Sequence, residues 1–147
     1  MKIAFHGAAR TVTGSKHLVT LKSGKRVLLD CGMFQGSEET ERANAEPFGF
    51  DPASIDMLLL THAHLDHCGR IPLLVRRGFR GRILATAATR ELTRVVLLDS
   101  AGIQEEDARR AQRSNQECVF LPQPALPQAG NPHPEWQRLL CETAQSR

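Results

Sequence analysis

A short apolar run that ends abruptly in a group of histidines places the strongest constraint on this chain. Residues 57–60 are one methionine and three leucines, and after one threonine they are followed by His62-Ala63-His64-Leu65-Asp66-His67. Four apolar residues are too few for a helix and suit a strand that is buried on both faces. The sequence therefore predicts that the histidines lie at the carboxyl end of a buried strand.

The spacing within this group suits metal binding. Side chains two residues apart in an extended segment point the same way, so His62 and His64 can present their rings to one ion. Asp66 and His67 lie where the chain turns into a helix, and they would reach a neighbouring position, as in sites where two metals hold a hydroxide. The alternative is that these are ordinary histidines and that Asp66 caps the helix. The clustering favours the metal site.

Strand and helix patterns alternate along the first 113 residues, which predicts a layered α/β fold. Residues 17–22 and 25–30 form two β-prone runs around Ser23-Gly24, a composition typical of a hairpin turn. Asp51-Pro52 can open a helical turn, and Thr86 can cap a long helix that carries Leu92, Val95, Val96, Asp99 and Ile103. The other predicted elements are strands at 3–6, 57–60 and 82–85, a helix from 66 to about 77 that stops at Gly78, and a loop over 34–51.

The character of the sequence changes near residue 114. Residues 114–147 contain five of the eight prolines and show no sustained apolar period. We therefore predict a domain over 1–113 and a poorly ordered Pro-rich tail over 114–147, in which 135–144 could form only a marginal short helix.

Composition excludes little but favours a reduced, cytoplasmic compartment. A formal charge of +3, from 19 basic and 16 acidic residues, does not by itself indicate a nucleic-acid protein. The four cysteines include no C-x-x-C pair, which favours free thiols. No apolar run is long enough for a signal peptide or a membrane span, so we expect no membrane association. Arginines at 70, 76, 77, 80 and 82 could meet phosphates, but a solvated face is the favoured interpretation.

The motif H-x-H-x-D-H at the end of a buried strand resembles the signature of the metallo-β-lactamase superfamily of hydrolases. Further segments are similar to the β-CASP branch of that superfamily, the RNA-processing endonucleases and exonucleases. These segments are residues 7–15 (GAARTVTGS), 29–36 (LDCGMFQG) and 60–72 (LTHAHLDHCGRIP), and the match runs from residue 1 to about 113.

The resemblance implies a fold, a cofactor and a substrate. The fold would be the N-terminal half of an αββα sandwich, truncated, and the substrate would be RNA. His62 and His64 would bind a first zinc, Asp66 and His67 a second, and Asp66 would also orient the nucleophilic hydroxide as the catalytic carboxylate.

Three further residues are assigned more weakly by the resemblance. Asp30 would hold the ligands in place by hydrogen bonds, although it could be a turn residue at the end of a strand. Gly14 and Ser15 would form a substrate loop beside the metals, or a plain connection between strands. We assign no role to Cys31 or Cys68, because a free cysteine is commonly a small buried apolar residue.

Several elements of the complete family pattern are missing from this sequence. Full-length relatives add a histidine in a Gly-His-x-x-Gly-Ser-like segment, a metal-bridging aspartate, a cap domain and a last histidine. His133 is the only later histidine and matches none of these motifs. We therefore expect an incomplete copy of a zinc-dependent RNA phosphodiesterase. The alternatives are a non-catalytic metal-binding or interaction fragment, and a small ester or thioester hydrolase of the same fold. No feature indicates the oligomeric state.

Overall fold

A five-stranded mixed sheet forms the centre of the structure, a computed structural model that describes residues 1–114. The strands lie side by side in chain order: β1 (Lys2–Gly7), β2 (Lys16–Thr20), β3 (Arg26–Leu29), β4 (Met57–Leu59) and β5 (Arg82–Leu84). The first three strands are antiparallel, whereas β3, β4 and β5 run parallel. The carboxyl ends of β3 and β4 therefore meet at one edge of the sheet.

The connection between β2 and β3 is the predicted hairpin, with a longer loop than expected. Both strands end earlier than predicted, and residues 21–25 form the connection. The Leu21 N–H donates to the Lys25 carbonyl at 2.8 Å, and Gly24 has a positive φ of 84°. A glycine adopts this backbone conformation without steric cost, which explains why the turn forms at Ser23-Gly24.

The crossover from β3 to β4 contains one helix that was not expected. A short helix, α1 (Glu38–Arg42), lies within the segment predicted as a loop. The Ser37 hydroxyl accepts a hydrogen bond from the Thr40 N–H at 3.3 Å, and this cap favours the helical turn. The predicted turn at Asp51-Pro52 is confirmed as a 3-10 helix (Pro52–Ser54), in which the Ala53 N–H donates to the Asp51 carboxylate at 3.0 Å.

The single helix predicted from residue 66 to about 77 is wrong, because the structure has two shorter helices there. These are α2 (Leu65–Cys68) and α3 (Ile71–Arg76). In a continuous helix the Arg70 N–H would donate to the Asp66 carbonyl. Instead Arg70 N donates to the Cys31 carbonyl at 2.9 Å, and the Asp66 carbonyl accepts from Ser15 N at 2.9 Å. Contacts with distant segments thus replace the local helical bond.

The core lies between the three parallel strands and the helices. Leu28 of β3, Leu58 of β4 and Ile83 of β5 are fully buried, as are Ile71 and Leu74 of α3. Burying one such aliphatic side chain contributes about 1.5–3 kcal/mol of transfer free energy. Leu28, Leu58 and Ile83 pair in register and share one face of the sheet, whereas Met57 and Leu59 on the other face of β4 are half-buried. The predicted burial of β4 is therefore complete on one face and partial on the other.

The last helix, α4 (Ala87–Ser114), begins where Thr86 was predicted to cap it. The Thr86 hydroxyl accepts from the Thr89 N–H at 3.2 Å. Of the apolar residues that the sequence pattern placed along this helix, Leu92, Val95 and Ile103 are exposed. Within residues 1–114, no helix combines the length and apolar character needed to cross a membrane. The predicted Pro-rich tail, its short helix and His133 lie outside the described residues.

Candidate metal centre

The four residues of the histidine motif lie together just after β4, at its carboxyl end. The ring centroids of His62 and His64 are 4.7 Å apart, and those of His62 and His67 are 3.9 Å apart. The His67 Nε2 atom lies 3.4 Å from a carboxylate oxygen of Asp66. The structure thus brings together all four predicted ligands.

The backbone changes conformation in the middle of the motif, as the sequence pattern predicted. His64 is extended, with φ −69° and ψ 145°, and α2 begins at the next residue. Its carbonyl accepts from the N–H groups of His67 and Cys68 at 2.8 and 2.9 Å. Asp66 lies inside the first turn, where a carboxylate interacts favourably with the helix dipole. The position that caps the helix is therefore His64 and not Asp66.

Asp30 stands immediately after β3 and contacts the motif through its side chain. It is 4% exposed, and its carboxylate accepts hydrogen bonds from Thr61 N and from His67 Nδ1, both at 2.8 Å. Its φ of 58° is unusual for a residue other than glycine, although aspartate tolerates this region better than most residues. Asp30 is therefore both the strand-end turn residue and the hydrogen-bond partner of the histidine motif.

The Gly14-Ser15 segment lies against the same motif through its backbone. Besides donating to the Asp66 carbonyl, Ser15 accepts from Gly32 N at 2.9 Å, so that Ser15 contacts both Asp66 and Gly32 through its backbone. A Cβ atom on Gly32 would lie 1.6 Å from the Asp66 carbonyl oxygen. Only glycine permits this approach, and the predicted substrate loop is thereby fixed beside Asp66.

Lys16 is a buried charged residue that the sequence analysis missed. It is 1% exposed, and its ammonium donates to the carbonyls of Gly14 at 2.9 Å and Gly32 at 3.1 Å. The same ammonium lies 4.0 Å from the centroid of the Phe34 ring. A lysine at the start of a strand normally faces solvent, so nothing in the sequence pattern indicated that it ties two loops together.

Burial lowers the pKa of Lys16 from its ordinary value of 10.5 to about 8. The unfolded chain therefore binds more protons than the folded chain between these values, and stability rises with pH through this window. We expect wild type to gain about 1 kcal/mol relative to Lys16→Met between pH 7 and 9. Urea denaturation at both pH values measures this difference. The Lys22→Met variant loses an exposed lysine and keeps Lys16, so its stability should rise with pH as that of wild type does. Parallel behaviour of Lys16→Met and wild type would contradict the prediction.

The arginines after the motif divide into one buried residue and four exposed ones, so the solvated-face interpretation holds for residues 76, 77, 80 and 82 but is wrong for Arg70. Arg70 is 1% exposed, donates to the Glu46 carbonyl and lies 4.2 Å from the Phe48 ring centroid. Arg77 donates to the Ala45 carbonyl at 3.0 Å. These two guanidinium groups hold the β3–β4 crossover against α3, because they satisfy carbonyls that no helix or strand pairs.

Cys31 and Cys68 are both fully buried and are free thiols. Burial raises the pKa of each to about 12. A thiol of this kind stays protonated at neutral pH and is neither a metal ligand nor a nucleophile. Both cysteines therefore fit the interpretation as small buried apolar residues.

The donor types in the motif fit zinc, but the donor number is small. Imidazole nitrogen and carboxylate oxygen are ordinary zinc ligands, and a histidine ligand usually gives its second nitrogen to a carboxylate, as His67 gives Nδ1 to Asp30. Across residues 1–114, however, no three His, Cys, Asp or Glu side chains stand close enough to hold one ion together. The motif therefore fits part of a metal site.

Comparison with known proteins agrees with this geometry. The family model described as the metallo-beta-lactamase superfamily matches residues 13–134, which is more than half of the chain. The chain belongs to the metallo-β-lactamase superfamily. Members of this family depend on a metal ion for their chemistry. The α/β fold and the family predicted from the motif are confirmed.

Comparison with curated relatives, among them proteins named as a ribonuclease and an endoribonuclease, confirms the predicted β-CASP branch. The ribonuclease TTHA0252 of Thermus thermophilus is 58% identical over 72% of this chain and 24% of its own length. The transcription termination factor FttA of Methanocaldococcus jannaschii is 34% identical over 74% of this chain and 17% of its own length. The endoribonuclease ysh1 of Aspergillus fumigatus is 32% identical over 77% of this chain and 13% of its own length. The matched part of this chain thus spans a quarter or less of each of these relatives.

Proposed function

We propose that this chain contributes part of the metal site of a zinc-dependent hydrolase that cleaves RNA. The observation that carries the proposal is the convergence of three histidine rings and two carboxylates where β3 and β4 end. Membership of a metal-dependent hydrolase superfamily and relatives that are named ribonucleases support zinc and RNA. A cytoplasmic location stays a prediction.

The proposed roles divide the motif between two metal positions. His62 and His64, on the extended segment, would hold one zinc, and Asp66 and His67, in the first turn of α2, would hold the other. Zinc lowers the pKa of a bound water and supplies a hydroxide at neutral pH. Asp66 would orient that hydroxide with its carboxylate. Asp30 holds the His67 ring by its Nδ1 atom and leaves Nε2 directed toward Asp66.

The number of ligands predicts that the 147-residue chain binds zinc weakly. Catalytic zinc usually has three protein ligands and a water, whereas each position here would have about two. After dialysis we expect well under two zinc ions per chain by mass spectrometry. We also expect RNA cleavage no faster than that of a His62→Ala, His64→Ala double variant. A full-length relative should bind two ions and cleave RNA under the same conditions.

A histidine outside the motif provides the control for these zinc and cleavage measurements. His6 lies on β1 and packs edge-on against the Phe50 ring, so His6→Ala removes a histidine outside the motif and should leave the zinc content unchanged. Stoichiometric zinc together with cleavage that is abolished by the double variant would contradict the prediction. It would mean that further ligands, for example from a second copy of the chain, complete the site.

A non-catalytic metal-binding or interaction fragment is the second candidate function. It is favoured by the lack of a third donor for either ion among the first 114 residues. Adding zinc at concentrations that saturate the weak site distinguishes the two functions. Cleavage of an RNA oligonucleotide that appears at saturation supports the hydrolase, and saturation without cleavage supports the non-catalytic function.

A further inference from the structure

We propose that Thr61 is a positioning residue whose hydroxyl holds His62 in the tautomer that carries its proton on Nδ1. His62 then offers the lone pair of Nε2 to a metal ion. The consequence for metal binding rests on the proposed function, whereas the tautomer itself does not. Thr61 lies between the end of β4 and the first motif histidine.

Thr61 contacts Asp30 and His62 at the same time. The Thr61 hydroxyl oxygen lies 3.0 and 2.9 Å from the two carboxylate oxygens of Asp30. It also lies 2.9 Å from Nδ1 of His62. The Thr61 N–H is held by the same carboxylate at 2.8 Å, so the backbone and the side chain are fixed together.

Counting protons decides the direction of these hydrogen bonds. A threonine hydroxyl has one proton to donate, and an ionised carboxylate can only accept. The Thr61 hydroxyl therefore donates to Asp30 and has only lone pairs left for its neighbour. His62 Nδ1 must supply the proton of the remaining hydrogen bond, and in the neutral ring Nε2 is then unprotonated.

Asp30 acts on the second histidine directly. The His67 Nδ1 atom lies 2.8 Å from the Asp30 carboxylate and must donate to it for the same reason. One carboxylate therefore selects the tautomer of two neighbouring rings, His67 by contact and His62 through Thr61. Both rings present Nε2, which is the geometry in which a metal-binding histidine gives its other nitrogen to a partner.

Two substitutions isolate the hydroxyl. Thr61 is exposed, so Thr61→Val should fold, and it keeps the branched shape and the backbone N–H while it removes the hydroxyl. Thr61→Ser restores a hydroxyl. The tautomers are read from the imidazole nitrogen chemical shifts of the ¹⁵N-labelled, metal-free chain at about pH 8.5, where imidazoles are mainly neutral.

In wild type and in Thr61→Ser, the His62 Nδ1 resonance is expected at the position of a protonated nitrogen. In Thr61→Val it should move toward the position of an unprotonated nitrogen, while the His67 resonances stay in place because Asp30 still holds that ring. Unchanged His62 shifts in Thr61→Val, or a Thr61→Ser variant that behaves like the valine variant, would overturn the proposal.

Zinc titration of the same variants separates this proposal from the proposed function. Thr61→Val should weaken zinc binding by about 10-fold, and Thr61→Ser should restore it. A tautomer change in Thr61→Val without a change in zinc affinity would overturn the link between Thr61 and the metal. Failure of wild type to bind zinc at all would overturn the proposed function, and the nitrogen shifts would still decide the role of Thr61 in the tautomer.

Discussion

Gly32→Ala is expected to destabilise the protein by about 3 kcal/mol or more, because its new methyl group has no space. The added Cβ would lie 1.6 Å from the Asp66 carbonyl oxygen, 2.1 Å from the carbonyl carbon and 2.7 Å from His67 N. These are backbone atoms of the first turn of α2, which cannot rotate aside as a side chain would. The segment around Gly32 must therefore move away from α2. Urea denaturation of the variant and of wild type measures the loss.

Gly102→Ala is the matched control for this substitution. Gly102 lies within α4, and a Cβ atom there would meet nothing within 4 Å. Alanine is a better helix former than glycine, so this variant should be more stable by about 0.5–1 kcal/mol. A Gly32→Ala variant as stable as wild type would show that the segment at Gly32 is not held against Asp66 as the structure describes.

Asp30→Asn is expected to weaken zinc binding by about 10- to 100-fold, the range usual for partners that orient metal ligands. Both carboxylate oxygens of Asp30 accept hydrogen bonds, one from Thr61 N and the other from His67 Nδ1. An asparagine amide replaces one of these acceptors by a donor, so one N–H group would face another. We also expect a loss of stability of about 1–3 kcal/mol, because the site is buried.

Asp56→Asn provides the comparison for the loss of a carboxylate. Asp56 is exposed and accepts a hydrogen bond from Arg26 N at 2.7 Å, at the start of β3 and far along the strand from the motif. Its substitution should leave zinc affinity unchanged. Calorimetric zinc titration of both variants tests the prediction, and equal affinity in Asp30→Asn and wild type would show that Asp30 does not organise the ligands.

The division of one predicted helix into α2 and α3, and the burial of two charged residues, show which features the sequence patterns could not predict. The apolar pattern after Asp66 fits one helix, whereas the structure breaks it at Gly69-Arg70, where Arg70 N bonds to the Cys31 carbonyl and Ser15 N to the Asp66 carbonyl. Lys16 and Arg70 have the composition of surface residues, yet both are buried against carbonyls and an aromatic ring. The relevant acceptors lie on other segments, so no local pattern could indicate them.

The sequence by itself determined the position and internal geometry of the histidine motif. A short apolar strand, an extended His62-Ala63-His64 and a helix that starts within one residue of the predicted Asp66 depend on backbone preferences over a few residues, which are local. Only the tertiary structure decided how the motif is held. Asp30 is 37 residues from His67 and 31 from Thr61, and it reaches both because β3 and β4 pair in parallel and end at one edge. Pairing between distant strands is a property of the whole fold, and it places the carboxylate that orders the rings.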